Sequence, residues 1–176
     1  MPPYESIDVI AEMRDRIEKE LGKIISIMVD LKGEELRLLI KGKEVEVKSG
    51  EKYIISGPTF EGSDIMINVE KAIDEAMPGD FIMAMDGKII MSVVEKKEKY
   101  LKVMASSDGI IKNNGRVNIP GRYIPVASVT ERDRQFLEKA IMNKVEFCAM
   151  SFVQTPSQIN ELHDLIIDLK GNMKII

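Results

Sequence analysis

The sequence has few of the residues that build compact reactive sites. It contains one cysteine, one histidine and no tryptophan. A single Cys148 excludes an intrachain disulfide, and together with the single His163 it cannot supply a zinc cluster. We therefore predict a reducing, cytoplasmic location.

The sequence also lacks a strong excess of either charge and any long apolar run. It has 25 Lys and Arg against 29 Asp and Glu, for a net charge of −4, so it has no broad positive surface for nucleic acid or an anionic membrane. No apolar segment approaches the roughly 20 residues that span a bilayer, and the N-terminus does not resemble a signal peptide. With 44% hydrophobic and 31% charged residues, the chain is predicted to fold, with neither nucleic acid nor membrane as its partner.

Common catalytic motifs are absent as well. The sequence contains no GxGxxG, HExxH, CxxC or GxSxG pattern, which removes the simple signals for dinucleotide binding, zinc peptidases, thiol redox chemistry and hydrolases. Gly87-Lys88 lacks the other residues of a phosphate-binding loop and is read as a hairpin turn. His163 lies within a predicted helix and is read as a structural or surface residue.

At both ends of the chain, the sequence alternates between patterns typical of helices and patterns typical of strands. Apolar residues at helical spacing and unbroken apolar runs indicate amphipathic helices and strands buried on both faces. Such alternation predicts parallel βαβ units. The segments are a helix over 5–21, a strand over Lys23–Asp30, a helix opened by a Thr130/Asp133 capping box and ending near Asn143, a strand over Val145–Phe152, a helix capped by Ser157 and ending near Leu169, and a strand over Asn172–Ile176.

The middle of the chain instead has a sequence pattern typical of short β-strands. Short β-branched and alternating segments separated by turn residues predict a small all-β barrel or sandwich. An all-β insertion after a βα strand predicts a lid on a barrel, because barrel active sites lie at the carboxyl ends of the strands. The predicted strands are 36–40, 44–48, 52–56, 65–70, 81–85, 88–94 and 100–105.

Charged residues follow the first predicted strand. Asp30, Lys32 and Arg37 place a carboxylate, an ammonium and a guanidinium within eight residues. At the carboxyl end of a strand such groups can hold a cation and a phosphorylated substrate together. The alternative is a solvated charged loop.

Several segments resemble the motifs of one enzyme family. Met28–Arg37 resembles the D-T-K-G-P-E-I-R motif of pyruvate kinases, and Arg116–Gly121 resembles their G-V-N-L-P-G segment. Pro125–Asp133, Val145–Val153 and Met85–Ile89 resemble further family segments, in the same order and at similar spacing. The chain is therefore similar to part of a pyruvate kinase.

The resemblance implies an α/β plus all-β fold, namely a partial TIM barrel with an inserted small β-barrel lid domain. Barrel segments are expected over 1–35 and 119–176, and the lid over 36–118. A whole barrel takes roughly 250 residues, so the barrel segments supply about three of its eight βα units. Such a sheet exposes its edges, and we expect homo-oligomers.

The resemblance also implies a reaction and its residues. Pyruvate kinases transfer a phosphoryl group from phosphoenolpyruvate to ADP in glycolysis, giving pyruvate and ATP with Mg²⁺ and usually K⁺. Asp30 and the carbonyl of Leu31 match potassium ligands. Arg37 matches a catalytic residue that reaches the nucleotide and the transferred phosphate. Asp86 matches a nucleotide-facing acid of the lid, and Arg116 is the candidate substitute for a nucleotide-binding lysine.

The family pattern is not matched everywhere. The lysine before Val117 is absent, and Glu34 stands where the family has proline. The catalytic R-x-N-x-S-H-G motif is expected before Met1 and the Mg²⁺-binding K-I-E motif after Ile176, so magnesium ligands are absent from this chain. We therefore expect negligible activity from the isolated chain. The alternative is a non-enzymatic nucleotide-binding or interaction module derived from the lid.

Overall fold

A computed structural model describes residues 3–176, which form two compact units. Unit 1 contains the chain through Glu34 together with Ala127–Ile176, and unit 2 is Glu35–Val126. The first two residues of the predicted segment 1–35 lie outside the described residues. The elements in chain order are α1 (Pro3–Leu21), β1 (Met28–Leu31), β2 (Leu38–Ile40), β3 (Glu44–Val47), β4 (Lys52–Ser56), β5 (Ile65–Ile67), α2 (Lys71–Glu75), β6 (Phe81–Ala84), β7 (Ile89–Lys96), β8 (Tyr100–Ala105), β9 (Gly109–Lys112), β10 (Val117–Asn118), α3 (Glu131–Met142), β11 (Phe147–Met150), α4 (Pro156–Asp168) and β12 (Lys174–Ile175).

Unit 1 contains a three-stranded parallel sheet in the order β1-β11-β12, which confirms the predicted parallel pairing. Helices pack on the sheet because alternate strand residues and the apolar helix stripes have no other cover. Val29 and Leu31 from β1, Cys148 from β11, Leu137 from α3 and Leu162 from α4 belong to one buried cluster.

The first strand is shorter than its sequence predicts. The expected strand over Lys23–Asp30 is wrong in its first half, because β1 begins only at Met28. Ile24 is 93% exposed, and pairing with β11 begins at Met28 opposite Phe147. An apolar run therefore becomes a strand only where a partner strand runs beside it.

Helix starts follow local hydrogen bonding. The Thr130/Asp133 capping box at the start of α3 is confirmed, since Thr130 Oγ1 accepts from the Asp133 N–H at 3.1 Å. The predicted Ser157 cap of α4 is wrong, because Thr155 is the N-cap. The side chain of Gln158 accepts the Thr155 N–H at 3.1 Å, and proline occupies the first helical turn, where its missing N–H costs nothing.

A buried guanidinium ties α1 to the end of α3. Arg14 is only 8% exposed and donates to the carbonyls of Lys144 at 3.0 Å and Asn143 at 3.2 Å. Carbonyls at the end of a helix lack intrahelical partners, and a cationic side chain there satisfies them. These bonds fix the chain where it leaves α3 for β11.

Unit 2 is built on a seven-stranded sheet in the order β10-β6-β7-β8-β4-β5-β2, with a separate two-stranded pair, β3 and β9. Most pairs are antiparallel, and β4 with β5 is parallel. The sequence-based prediction missed α2, β9 and β10, which are all short. Fully buried side chains in the centre include Leu38, Ile55, Ile82, Leu101 and Ile111.

The two end strands of this sheet meet. Arg37, next to β2, and Arg116, next to β10, form an antiparallel bridge. Backbone bonds flank it, from the Leu38 N–H to the Gly115 carbonyl at 2.8 Å and from the Asn114 N–H to the Leu38 carbonyl at 2.7 Å. The sheet is thus nearly closed into a barrel, which leaves few unpaired edge groups. We call this junction the seam.

Within residues 3–176, none of the helices combines the length and the apolar character that crossing a bilayer requires.

Candidate functional site

The seam places two candidate residues directly opposite one another. Arg37 and Arg116 are Cα partners in the antiparallel bridge, and side chains of directly opposite residues lie on the same face of a sheet. Like charges in this arrangement destabilise a sheet unless anions offset them. Two guanidinium groups on one face therefore form a candidate binding site for an anion such as phosphate.

Each of the two arginines lies beside a carboxylate of the same chain. The Arg37 guanidinium pairs with the carboxylate of Glu35, and its Nη1 donates to the Asn114 carbonyl at 3.1 Å. Arg116 Nη1 lies 3.6 Å from Asp86 Oδ1, with both side chains more than half exposed. An exposed pair of this kind contributes little to stability. Arg116 and Asp86 are therefore free to exchange their contact for a ligand at low cost.

Asp86 is held in place by a hairpin turn. Met85, Asp86 and Gly87 between β6 and β7 all have positive φ angles, of 54°, 59° and 82°. Successive positive φ values give turns that match the twist of the flanking strands, and aspartate and glycine tolerate them. The Met85 N–H donates to the Arg116 carbonyl at 2.8 Å, so the turn is bonded directly to the seam.

An asparagine missed by the sequence analysis orients Arg37. Asn68 Oδ1 accepts from the Arg37 N–H at 2.7 Å, and Asn68 Nδ2 donates to the Glu35 carbonyl at 3.0 Å. One amide thus fixes the backbone on both sides of Leu36. Its position just after β5 carries no recognisable motif, so only the tertiary structure reveals this role.

The predicted cation ligands lie at the carboxyl end of β1 in unit 1. Asp30 Oδ1 accepts from the Ser151 hydroxyl at 2.9 Å, and the Leu31 carbonyl accepts the Ser151 N–H at 3.1 Å. The carbonyl retains a second lone pair. A carboxylate and a carbonyl are oxygen donors of the type that K⁺ and other hard cations prefer, so this donor set fits the predicted group.

Ser151 was not predicted as part of this site. The register pairs Asp30 with Ala149 and Leu31 with Met150, so the residue after β11 lies beside the end of β1. Parallel strands end at the same edge of a sheet, and this rule could have identified Ser151 from the sequence. Elsewhere among residues 6–176, whose side chains are described, no three His, Cys, Asp or Glu side chains converge as a metal site.

Cys148 lies in the central strand β11, opposite Val29, and has no exposed surface. Burial, together with the negative charges of Asp133 and Asp30, raises the pKa of its thiol to about 12. A thiol that stays protonated is neither a nucleophile nor a metal ligand. Cys148 is therefore a core residue.

Comparison with known proteins identifies the family. The sequence model described as pyruvate kinase, barrel domain, matches residues 3–176. The chain belongs to the pyruvate kinase family. Among curated pyruvate kinases, that of Thermoplasma acidophilum is 34% identical over 173 residues, covering 98% of this chain and 30% of the relative. That of Staphylococcus aureus is 30% identical over 165 residues, or 91% of this chain and 28% of the relative.

A solved pyruvate kinase has the same fold. The crystal structure of pyruvate kinase from Pyrobaculum aerophilum superposes with a TM-score of 0.84 at 18% identity, covering 98% of this chain and 39% of that one. The chain thus spans under a third of the length of the curated pyruvate kinases it matches. Asp30 and Leu31 lie in unit 1 of this family member, and Arg37, Asp86 and Arg116 lie in unit 2.

Proposed function

We propose that this chain is part of a pyruvate kinase that transfers a phosphoryl group from phosphoenolpyruvate to ADP. In this reaction the bond between phosphorus and the enol oxygen breaks and a bond to the terminal phosphate of ADP forms. The enolate then takes up a proton to give pyruvate. Such transfer depends mainly on positioning and charge neutralisation. The observation that carries the proposal is the pair of guanidinium groups at the seam.

In this proposal residues 36–118 form the lid domain, and residues 1–35 and 119–176 form about three βα units of a TIM barrel. Arg37 holds phosphate oxygens of the nucleotide and the transferred group. Arg116 takes the place of the family's lysine, and Asp86 faces the nucleotide. Support comes from the shared face of the two arginines and from the hydrogen bond between the Asp86 turn and the seam.

Asp30 and the Leu31 carbonyl are proposed to hold K⁺. Mg²⁺ is proposed to arrive with the nucleotide, since phosphate oxygens commonly provide much of its coordination. The carboxylate partner of Arg37 also has a role in the proposed binding of phosphate. Glu35 keeps the Arg37 guanidinium neutralised and oriented until phosphate oxygens take over.

The first test is titration of the chain with MgADP by calorimetry. We expect a dissociation constant in the millimolar range or tighter. Arg37→Gln is expected to weaken binding at least tenfold, because a hydrogen bond to a charged group contributes about 1.5–3 kcal/mol. Arg116→Gln should act in the same direction with a smaller effect, since the Arg116 side chain is 58% exposed and solvent screens its charge.

The matched control is Arg122→Gln, which removes the same charge within unit 2. Arg122 donates to Asp80 at 2.7 and 2.9 Å and makes no bond to Glu35 or Asp86. Equal weakening by this control would show a general charge effect and contradict the seam site. A wild-type chain that binds no MgADP would instead favour the interaction-module alternative.

The second test is pyruvate formation. With phosphoenolpyruvate, ADP, Mg²⁺ and K⁺ present, we expect the 176-residue chain to give no turnover above background. The reason is that the sequence contains neither the family's catalytic R-x-N-x-S-H-G motif nor its Mg²⁺-binding K-I-E motif. A coupled lactate dehydrogenase assay at high protein concentration measures it. Robust turnover would contradict this expectation and show that the chain is catalytically sufficient.

A further inference from the structure

The carboxylate of Asp133 makes more hydrogen bonds than a helix cap requires. It is 6% exposed and accepts from the Thr130 N–H at 3.1 Å and the Thr130 hydroxyl at 2.6 Å, which belong to the cap of α3. It also accepts from the Lys32 N–H at 3.2 Å and the Gly33 N–H at 3.2 Å. The last two bonds cross to the loop that follows β1.

That loop has the geometry of an anion-binding nest. Successive N–H groups of Lys32 and Gly33 converge on one carboxylate, and Gly33 has a left-handed φ of 64°. Backbone N–H groups in such a conformation form a concave site for negative charge. In this chain the anion that fills the nest is the carboxylate of Asp133, which lies 101 residues from Lys32 in the sequence.

Holding the Lys32 N–H also orients the Leu31 carbonyl. These two groups are opposite ends of one peptide unit, which is planar and trans, so the direction of one fixes the direction of the other. The Ser151 N–H donates to the same carbonyl at 3.1 Å. The peptide between Leu31 and Lys32 is therefore held at both ends.

We propose that Asp133 is a positioning residue for cation binding, which aims the Leu31 carbonyl by anchoring the Lys32 and Gly33 amides. This inference rests on the proposed function, because it takes Leu31 and Asp30 as the K⁺ ligands. Asp133 touches neither the cation nor the substrate. It acts as residues behind metal ligands commonly do, by fixing the orientation of the ligating group.

The test is Asp133→Asn in the ¹⁵N-labelled chain. Asparagine keeps the side-chain shape but replaces one acceptor oxygen with an NH₂ group, which cannot accept from both amides and the cap. We expect the amide protons of Lys32 and Gly33 to exchange with solvent at least tenfold faster. We also expect affinity for K⁺ to fall about 10- to 100-fold, measured as amide shifts with KCl against tetramethylammonium chloride at equal ionic strength.

The matched control is Thr130→Val, which removes the cap hydroxyl but leaves the carboxylate and its loop bonds. It should weaken the start of α3, by about 1 kcal/mol, without changing Lys32 and Gly33 exchange or K⁺ affinity. If both variants accelerate exchange equally, the effect comes from the helix end and the proposal is overturned. Unchanged exchange in Asp133→Asn overturns it as well.

A second variant covers the case in which Asp133→Asn does not fold. Gly33→Ala leaves the cap intact and strains the loop at its positive φ, where an alanine costs about 1 kcal/mol or more. It should weaken K⁺ binding in the same direction, and unchanged affinity contradicts the proposal. If the amide shifts of the wild-type chain show no K⁺-specific change, the proposed cation site is contradicted. The hydrogen-exchange rates of Lys32 and Gly33 then still decide whether Asp133 anchors the loop.

Discussion

Cys148 should be alkylated about a thousandfold more slowly in the folded chain than in the denatured chain at pH 8. The reactive species is the thiolate, and burial raises the pKa of this thiol from its ordinary 9.0 to about 12. Three pH units correspond to about a thousandfold less thiolate. Because Cys148 is the only cysteine, the rate of iodoacetamide incorporation measured by mass spectrometry reports this residue alone.

The same shift has a consequence for stability. The folded state holds the thiol proton more tightly than the unfolded state, so the contribution of Cys148 is fully present below pH 9. It is lost as the pH rises from 9 towards 12. The denatured chain serves as the control for intrinsic reactivity. Rapid alkylation of Cys148 in the folded chain at neutral pH, with an unchanged circular dichroism spectrum, would show that this residue is accessible and not buried.

Leu101→Ala should destabilise unit 2 by about 2–5 kcal/mol. Leu101 has no exposed surface and lies in β8, which pairs with β7 on one side and β4 on the other. The substitution leaves a cavity in a core that cannot fully collapse. This loss is a large fraction of the roughly 5–15 kcal/mol by which a domain is stable.

Met104→Ala is the control, because Met104 lies on the same strand and is 37% exposed. We expect it to cost under about 1 kcal/mol. Urea unfolding followed by tyrosine fluorescence reports mainly unit 2, since the chain has no tryptophan and three of its four tyrosines, Tyr53, Tyr100 and Tyr123, lie in this unit. Equal midpoints for the two variants would mean that Leu101 is not a core residue.

Much of the fold could be predicted from local sequence patterns. The Thr130/Asp133 box marks the start of α3 because capping is a contact between residues three apart. Sequence patterns gave the wrong prediction where pairing with another strand decides whether a segment forms a strand. Lys23–Asp30 is a nearly unbroken apolar run, yet only the part from Met28 pairs with β11. Short elements such as β10 have too few residues to show a period.

The candidate sites were predicted only in part. Residue types after the first strand pointed to Asp30 and Arg37, and the resemblance to pyruvate kinases added Leu31, Asp86 and Arg116. Neither source revealed the residues that orient them. Asn68 fixes the backbone around Arg37, and Ser151 bonds to Asp30. These partners directly follow other strands, and no local sequence pattern connects them to the site.

By itself, the sequence determined the family, the alternation of helices and strands at both ends, and the β-rich middle, because these depend on residue type, order and short-range spacing. Only the tertiary structure decided that Arg37 and Arg116 face each other at the seam and that Asp133 anchors the loop after β1. Asn114, a carbonyl partner of Arg37, lies 77 residues away in the chain. Contacts at such separations arise from strand pairing and sheet closure, which bring together residues that no short segment can connect.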